Sequence, residues 1–154
     1  MLYSILLPIH NILRWIVLLT ALYAIGRALA GWLGKKDWLR ADFRAGMWYT
    51  MALDLQLLVG LLLYFAASPL VASALRNFGG AMQNPEMRFF AGEHIFLMVL
   101  ALGIAHGGPT PSRRGAAAPV KHRWAALLFG LSLVVILIAI PWPFAAVARP
   151  WIRF

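Results

Sequence analysis

Four runs of about 20 or more mostly apolar residues constrain this chain more than any other feature. A hydrocarbon core roughly 30 Å thick takes a helix of about that length to cross. Lipid offers no partner to backbone N–H and C=O groups, so each run must satisfy its own by coiling into a helix. The first run, LLPIHNILRWIVLLTALYAIGRALAGWLG, covers residues 6–34. Its Pro8 sits near the start, where the first turn has no intrahelical N–H bond to lose. The second, 47–67, ends at Ser68-Pro69. The third, 85–106, has Asn84 as N-cap, Pro85 in the first helical position and Gly107-Gly108-Pro109 as its stop. The fourth, 121–141, breaks at Pro141-Trp142-Pro143.

Only 12% of the residues are charged, against roughly a quarter in soluble domains. The net charge of +9 belongs to the flanks of apolar spans and does not indicate nucleic acid. Without cysteine, disulfides, thiolate metal sites and Cys nucleophiles are excluded. No cleavable leader is expected, because the first apolar run is too long and no basic segment precedes it.

Lys and Arg counts orient the spans. Lys35, Lys36, Arg40, Arg44, Arg113, Arg114, Lys121 and Arg123 fall on one side, eight against four. Arg76, Arg88, Arg149 and Arg153 fall on the other. The excess marks the cytoplasmic side and predicts both termini outside. Trp32, Trp38, Trp48 and Trp124 read as anchors at the inner boundary, Trp142 and Trp151 at the outer. The expected fold is all-α: one polytopic domain over 1–154, an antiparallel four-helix bundle in a bacterial cytoplasmic membrane. Between spans two and three, Pro69 to Phe78 has the spacing of a short surface helix, ended by Gly79-Gly80.

Polar groups inside a span are costly, which makes them functional candidates. They are His10, Arg14, Asp54, Gln56, Glu93 and His94, with His106 and His122 nearer the inner edge. His10 lies about four residues into its span and His94 about nine, an offset of roughly 7 Å at 1.5 Å per residue. Helices 1 and 3 run in the same direction and are diagonal partners in a simple bundle. Imidazoles presented from such helices at one level grip a haem iron from both faces. The plainer alternative is a hydrogen-bonded contact between helices, worth about 0.6 kcal/mol on average. Met98, one turn after His94, leaves copper as a weaker option. Arg14 and Glu93 share a depth and suggest an ion pair; Arg14 also suits a haem propionate or quinone oxygen, and Glu93 a proton-transfer role. Asp54 reads as a carboxyl buried in the bundle, serving either as proton acceptor or as a packing hydrogen bond. His106 and His122, on neighbouring helix ends, form a weaker second metal-ligand pair.

HNILRW, LQLLVGLLLYFAASP, MRFFAGEH, the KH before span four and IPWPF together resemble a family of small bacterial four-span proteins labelled putative cytochrome b or cytochrome-b-like. The resemblance runs through nearly the whole chain. It implies haem b, with the motif histidines falling on His10, His94 and His122. Relatives often carry histidine where this chain has Asp54, which weakens any second haem using helix 2.

Three functions compete. A b-type haem protein would pass electrons, with quinol as a possible donor, and would use His10 and His94 as ligands, Arg14 as a cofactor contact and Glu93 or Asp54 as proton acceptors. A cofactor-free accessory subunit would join a larger membrane complex, its basic loops meeting anionic lipid or partner chains. A transporter or copper-handling protein ranks last, since no inverted repeat or mid-span helix break is evident.

Overall fold

A computed structural model of the chain describes residues 1–110 and 114–152. Arg113 and Arg153, both counted in the charge bias, lie outside the described residues. The described residues are helical throughout their regular structure, and four helices are long and apolar enough to cross a membrane. Helix α1 is Leu2–Leu33. Helix α2, Arg40–Leu62, runs on into a π-helical turn at Leu63–Ala67. Short helices α3 (Pro69–Arg76), α4 (Phe78–Ala81) and α5 (Pro85–Arg88) follow. A second π-helical turn, Phe89–Glu93, leads into α6 (His94–Gly107), and α7 is Ala118–Ala139.

Local chemistry accounts for the boundaries. Asp42 reaches back so that its Oδ2 accepts the Leu39 N–H at 2.8 Å, closing the start of α2. Ser68 Oγ accepts the Val71 N–H at 3.3 Å ahead of Pro69, which has no N–H to offer. Asn84 Oδ1 accepts from Glu86 and Met87, both at 3.0 Å, as an N-cap does. Two expectations are corrected. Pro8 lies inside α1, because the helix already begins at Leu2. The surface helix stops at Asn77, whose Oδ1 caps the next turn by accepting from Gly80 N–H at 3.1 Å. Gly79 and Gly80 therefore fall within α4 and do not end α3.

Helix α1 packs along α2 and α7, and α6 packs along α7, while the α2–α6 seam is looser. Alanines dominate the contacts: Ala21, Ala24, Ala28, Ala101, Ala105, Ala125 and Ala139 are all buried. Small side chains bring helix backbones close, which is how helices associate where lipid supplies no hydrophobic drive. Phe129 on α7 fills space left by two glycines. A Cβ on Gly46 would lie 2.8 Å from its ring, and one on Gly108 only 2.3 Å. Nearby, the buried hydroxyls of Tyr49 and Ser132 meet at 2.6 Å, and Ser132 donates to the Ala101 carbonyl at 2.8 Å. That chain joins α2, α7 and α6 with every hydroxyl used. The outward surface is apolar instead, with Leu19, Phe96 and Ile138 each about two-thirds exposed at 66%, 67% and 65%. Such a surface is stable in lipid and not in water.

Candidate functional site

Burial at Leu6, Asn11, Val17 and Leu18 shows which face of α1 turns inward, and His10 and Arg14 lie on it. On α2, Leu53 and Gln56 are buried, so Gln56 looks inward at the same level as His10. His94 is the first residue after the second π turn. The added residue in that turn rotates His94 toward α7, where its Nδ1–H donates to the Ala139 carbonyl at 2.8 Å. Tyr64, in the first π turn, donates to the Ala91 carbonyl in the second at 2.8 Å. Two π turns on facing helices are thus tied together beside His94, and such turns recur at functional sites.

The outcome is a pair of imidazoles. His10 and His94 have ring centroids 6.4 Å apart and planes inclined at 68°. Neither ring faces lipid, and the two are not stacked. A backbone carbonyl only accepts, so His94 carries its hydrogen on Nδ1 and, when neutral, keeps a bare Nε2. His10 Nε2 accepts from the Gln56 side-chain amide at 3.2 Å.

Three gaps meet at this pair, of about 100, 130 and 40 Å³. The first is lined by His10, Arg14, Gln56, His94 and Arg149. Four buried polar atoms with no hydrogen-bond partner among the described residues belong to its lining: His10 Nδ1, Arg14 Nε, Gln56 Oε1 and Arg149 Nε. Buried polar groups are ordinarily satisfied, so a cluster of orphans in one lining marks a place for a polar ligand.

Arg14 carries a further imbalance. Its guanidinium donates to Asn11 Oδ1 at 2.8 Å and to the Trp151 carbonyl, both neutral. All five carboxylate side chains are described, and four are in ion pairs with other residues. The fifth, Asp37, lies at the far end of α1. Arg149 donates to Glu86 and stands over the Phe90 ring at 5.0 Å. The segment after α7 folds back over the mouth, with Trp151 stacked on Trp15 at 6.2 Å.

The other candidates lie elsewhere. Glu93 pairs with Arg88 at 2.7 Å, half exposed, and not with Arg14. Adjacent helical residues point about 100° apart, so turning His94 inward turns Glu93 out. Asp54 is also half exposed, because its neighbour Leu53 takes the core-facing position. Its carboxylate meets His106 Nε2 at 2.9 Å on the outer surface of the α2–α6 seam. His106 and His122 do not meet. His122 is wedged between Gly31 and Trp38, where a Cβ on Gly31 would lie 2.1 Å from its ring. That leaves no room for a macrocycle on its face.

Two participants, and one ion pair at the other end of α1, escape sequence reasoning. Arg149 reads as tail charge until the chain folds back. Gly60 gives His10 its space: a Cβ there would sit 3.2 Å from Cε1. Arg27, inside the first span, is neutralised by Asp42 at 2.8 Å. A comparison with known protein families, curated proteins and solved structures returns no match.

Proposed function

We propose that this chain is a b-type haem protein of a bacterial cytoplasmic membrane, passing electrons with quinol as a candidate donor. In this reading the four spans form an antiparallel bundle with both termini outside, and the His10–His94 pair lies toward the outer leaflet. The carrying observation is that pair, together with the orphaned polar atoms around it. Metal–imidazole bonds are about 2 Å long, so rings on opposite sides of one metal ion have centroids roughly 6 Å apart. The observed 6.4 Å suits that separation. His94 has the ligand arrangement metal sites favour, with the distal nitrogen donating to a carbonyl and Nε2 bare. Arg14 suits a propionate, being a part-buried cation whose partners among the described residues, Asn11 and the Trp151 carbonyl, are neutral.

The donor set fits, and the space is only partly formed. Pockets for drug-sized ligands begin near roughly 300 Å³, and the largest of the three gaps is about 130 Å³. Loading therefore requires Gln56 to release His10 and the Phe90 and Met98 side chains to swing aside. When bound, haem supplies a one-electron iron couple. The chain's own part would be to supply the His10 and His94 ring nitrogens and, through Arg14, to neutralise a carboxylate. Glu93 and Asp54 line none of the three gaps and are paired instead with Arg88 and His106, which leaves them out of the site.

Two other readings each have one observation in favour. His10, His94 and Met98 also line the 40 Å³ gap, which is room for an ion and would suit copper. The half-exposed Asp54–His106 pair is costly against lipid and favours an accessory subunit that buries it on a partner.

Absorbance of protein purified with haem available tests the proposal. A Soret band and a reducible low-spin spectrum are expected, lost in His10→Ala and His94→Ala and kept in His106→Ala. Unchanged spectra in the first two variants overturn the ligand assignment. Metal analysis that finds copper and no iron selects the copper reading.

A further inference from the structure

At the opposite end of α1 lies a second and larger cavity, a groove of about 420 Å³ between α1, the loop 34–39 and the start of α2. Its floor is apolar and shallow, formed by Leu22, Gly26 and Ala30, and nothing lies within 4 Å of a Cβ placed on Gly26. Its rim carries Arg27 and Lys36. Arg27 is held in place by Asp42, whose other oxygen is spent on the Leu39 N–H. At the back stands His122, only 1% exposed. Its Nε2–H donates to the Asp37 carbonyl at 3.3 Å, and its Nδ1 is buried with no partner among the described residues. Lys35 in the loop, Arg40 and Arg44 in the first turns of α2, and Lys121 and Arg123 in the first turns of α7 add positive charge at this end of the helices.

An apolar trough open to the bilayer, ending in cations and one buried acceptor, matches a molecule with an acyl chain, a phosphate and a hydroxyl. We infer that the groove is a binding site for one anionic phospholipid with a hydroxylated headgroup. An acyl chain lies over Gly26 and Ala30, the phosphate meets Lys36 and Arg27, and a headgroup hydroxyl donates to His122 Nδ1. Basic pockets between spans hold anionic headgroups by this combination of charge and shape. The Asp37 carboxylate also lines the groove and opposes the phosphate. This site shares no residue with the His10–His94 cavity, so it stands whether or not haem binds there.

Native mass spectrometry of the detergent-purified full chain, titrated with phosphatidylglycerol, reads the site. One phosphatidylglycerol is expected to bind at least about tenfold more tightly than phosphatidylcholine, the scale of one or two lipid–cation contacts. Lys36→Glu should weaken it by a similar factor. Gly26→Leu, whose Cβ would have nothing within 4 Å, should do so by filling the trough, and Asp37→Asn should tighten binding. Helicity and melting temperature establish that each variant is folded. Equal binding of the two lipids, variants without effect, or displacement by millimolar inorganic phosphate would each overturn the assignment, the last identifying a free-anion site.

Discussion

His94 donates its Nδ1 hydrogen to the Ala139 carbonyl, 2.8 Å away, which leaves a bare Nε2 on a ring whose centroid is 6.4 Å from that of His10 on α1. One backbone contact thus decides both the tautomer and the direction of the ring. If Nε2 is an axial ligand, His94→Ala loses only that ligand and leaves a hole shaped for imidazole. Added imidazole should restore the low-spin spectrum of His94→Ala, and omitting it should abolish the spectrum again. Failure of rescue in folded protein would argue that His94 serves packing alone.

Gly60 supplies the next prediction. The ideal Cβ of any other residue would lie 3.2 Å from His10 Cε1, tight enough that the ring has to shift. Gly60→Val should lower haem content several-fold while costing about 1–3 kcal/mol of stability or less, the usual range for overpacking. Comparing haem content with the melting curve separates the two effects. An unaltered cofactor content would show that His10 has slack.

Most of the framework was legible before any coordinates. Apolar runs of bilayer length define the four helices, Asn84 caps the turn at Pro85 as expected, and the second span stops at Ser68-Pro69. The helical period also puts His10 and Arg14 on one face. What stayed hidden depends on register. A π turn adds one residue without any sequence signature, and the turn at Phe89–Glu93 decides that His94 faces inward and Glu93 outward. Depth alone suggested an Arg14–Glu93 pair, but depth carries no information about rotation round a helix axis. Asp54 was misread for the same reason, since Leu53 and not Asp54 occupies the inward position. Arg149 and the Trp151 carbonyl reach the site through a fold-back of the tail, for which local pattern offers no cue.

Gly108 tests the packing independently of any cofactor. Its ideal Cβ falls 2.3 Å from Phe129 Cε1, and Phe129 is itself buried against Gly46 and Tyr49. Gly108→Ala should destabilise the protein by about 1–3 kcal/mol in a reversible detergent or bicelle assay. Adding Phe129→Leu, which vacates the ring's position, should recover part of that loss. Two independent penalties in the double variant would mean that the helices part instead of the ring yielding.

The sign of one substitution separates a site from a strut. Arg14 is a part-buried cation whose described partners, Asn11 and the Trp151 carbonyl, are neutral. An isolated charge at mid-span costs at least about 2.5 kcal/mol, less here because the guanidinium keeps some access and two hydrogen bonds. In cofactor-free protein, Arg14→Met keeps much of the side-chain volume and removes the charge, so stability should hold or rise by up to about 2 kcal/mol. In protein loaded with haem the same change removes one of the two cations that line the gap, the one whose described partners are neutral, so retention should fall by about tenfold, near the worth of one charge-assisted hydrogen bond. Melting temperature without haem and haem loss to an apo-globin scavenger give the two readings. Opposite signs fit an anion site waiting for its ligand. If the variant loses stability equally in both forms, Arg14 is there to tie down the tail.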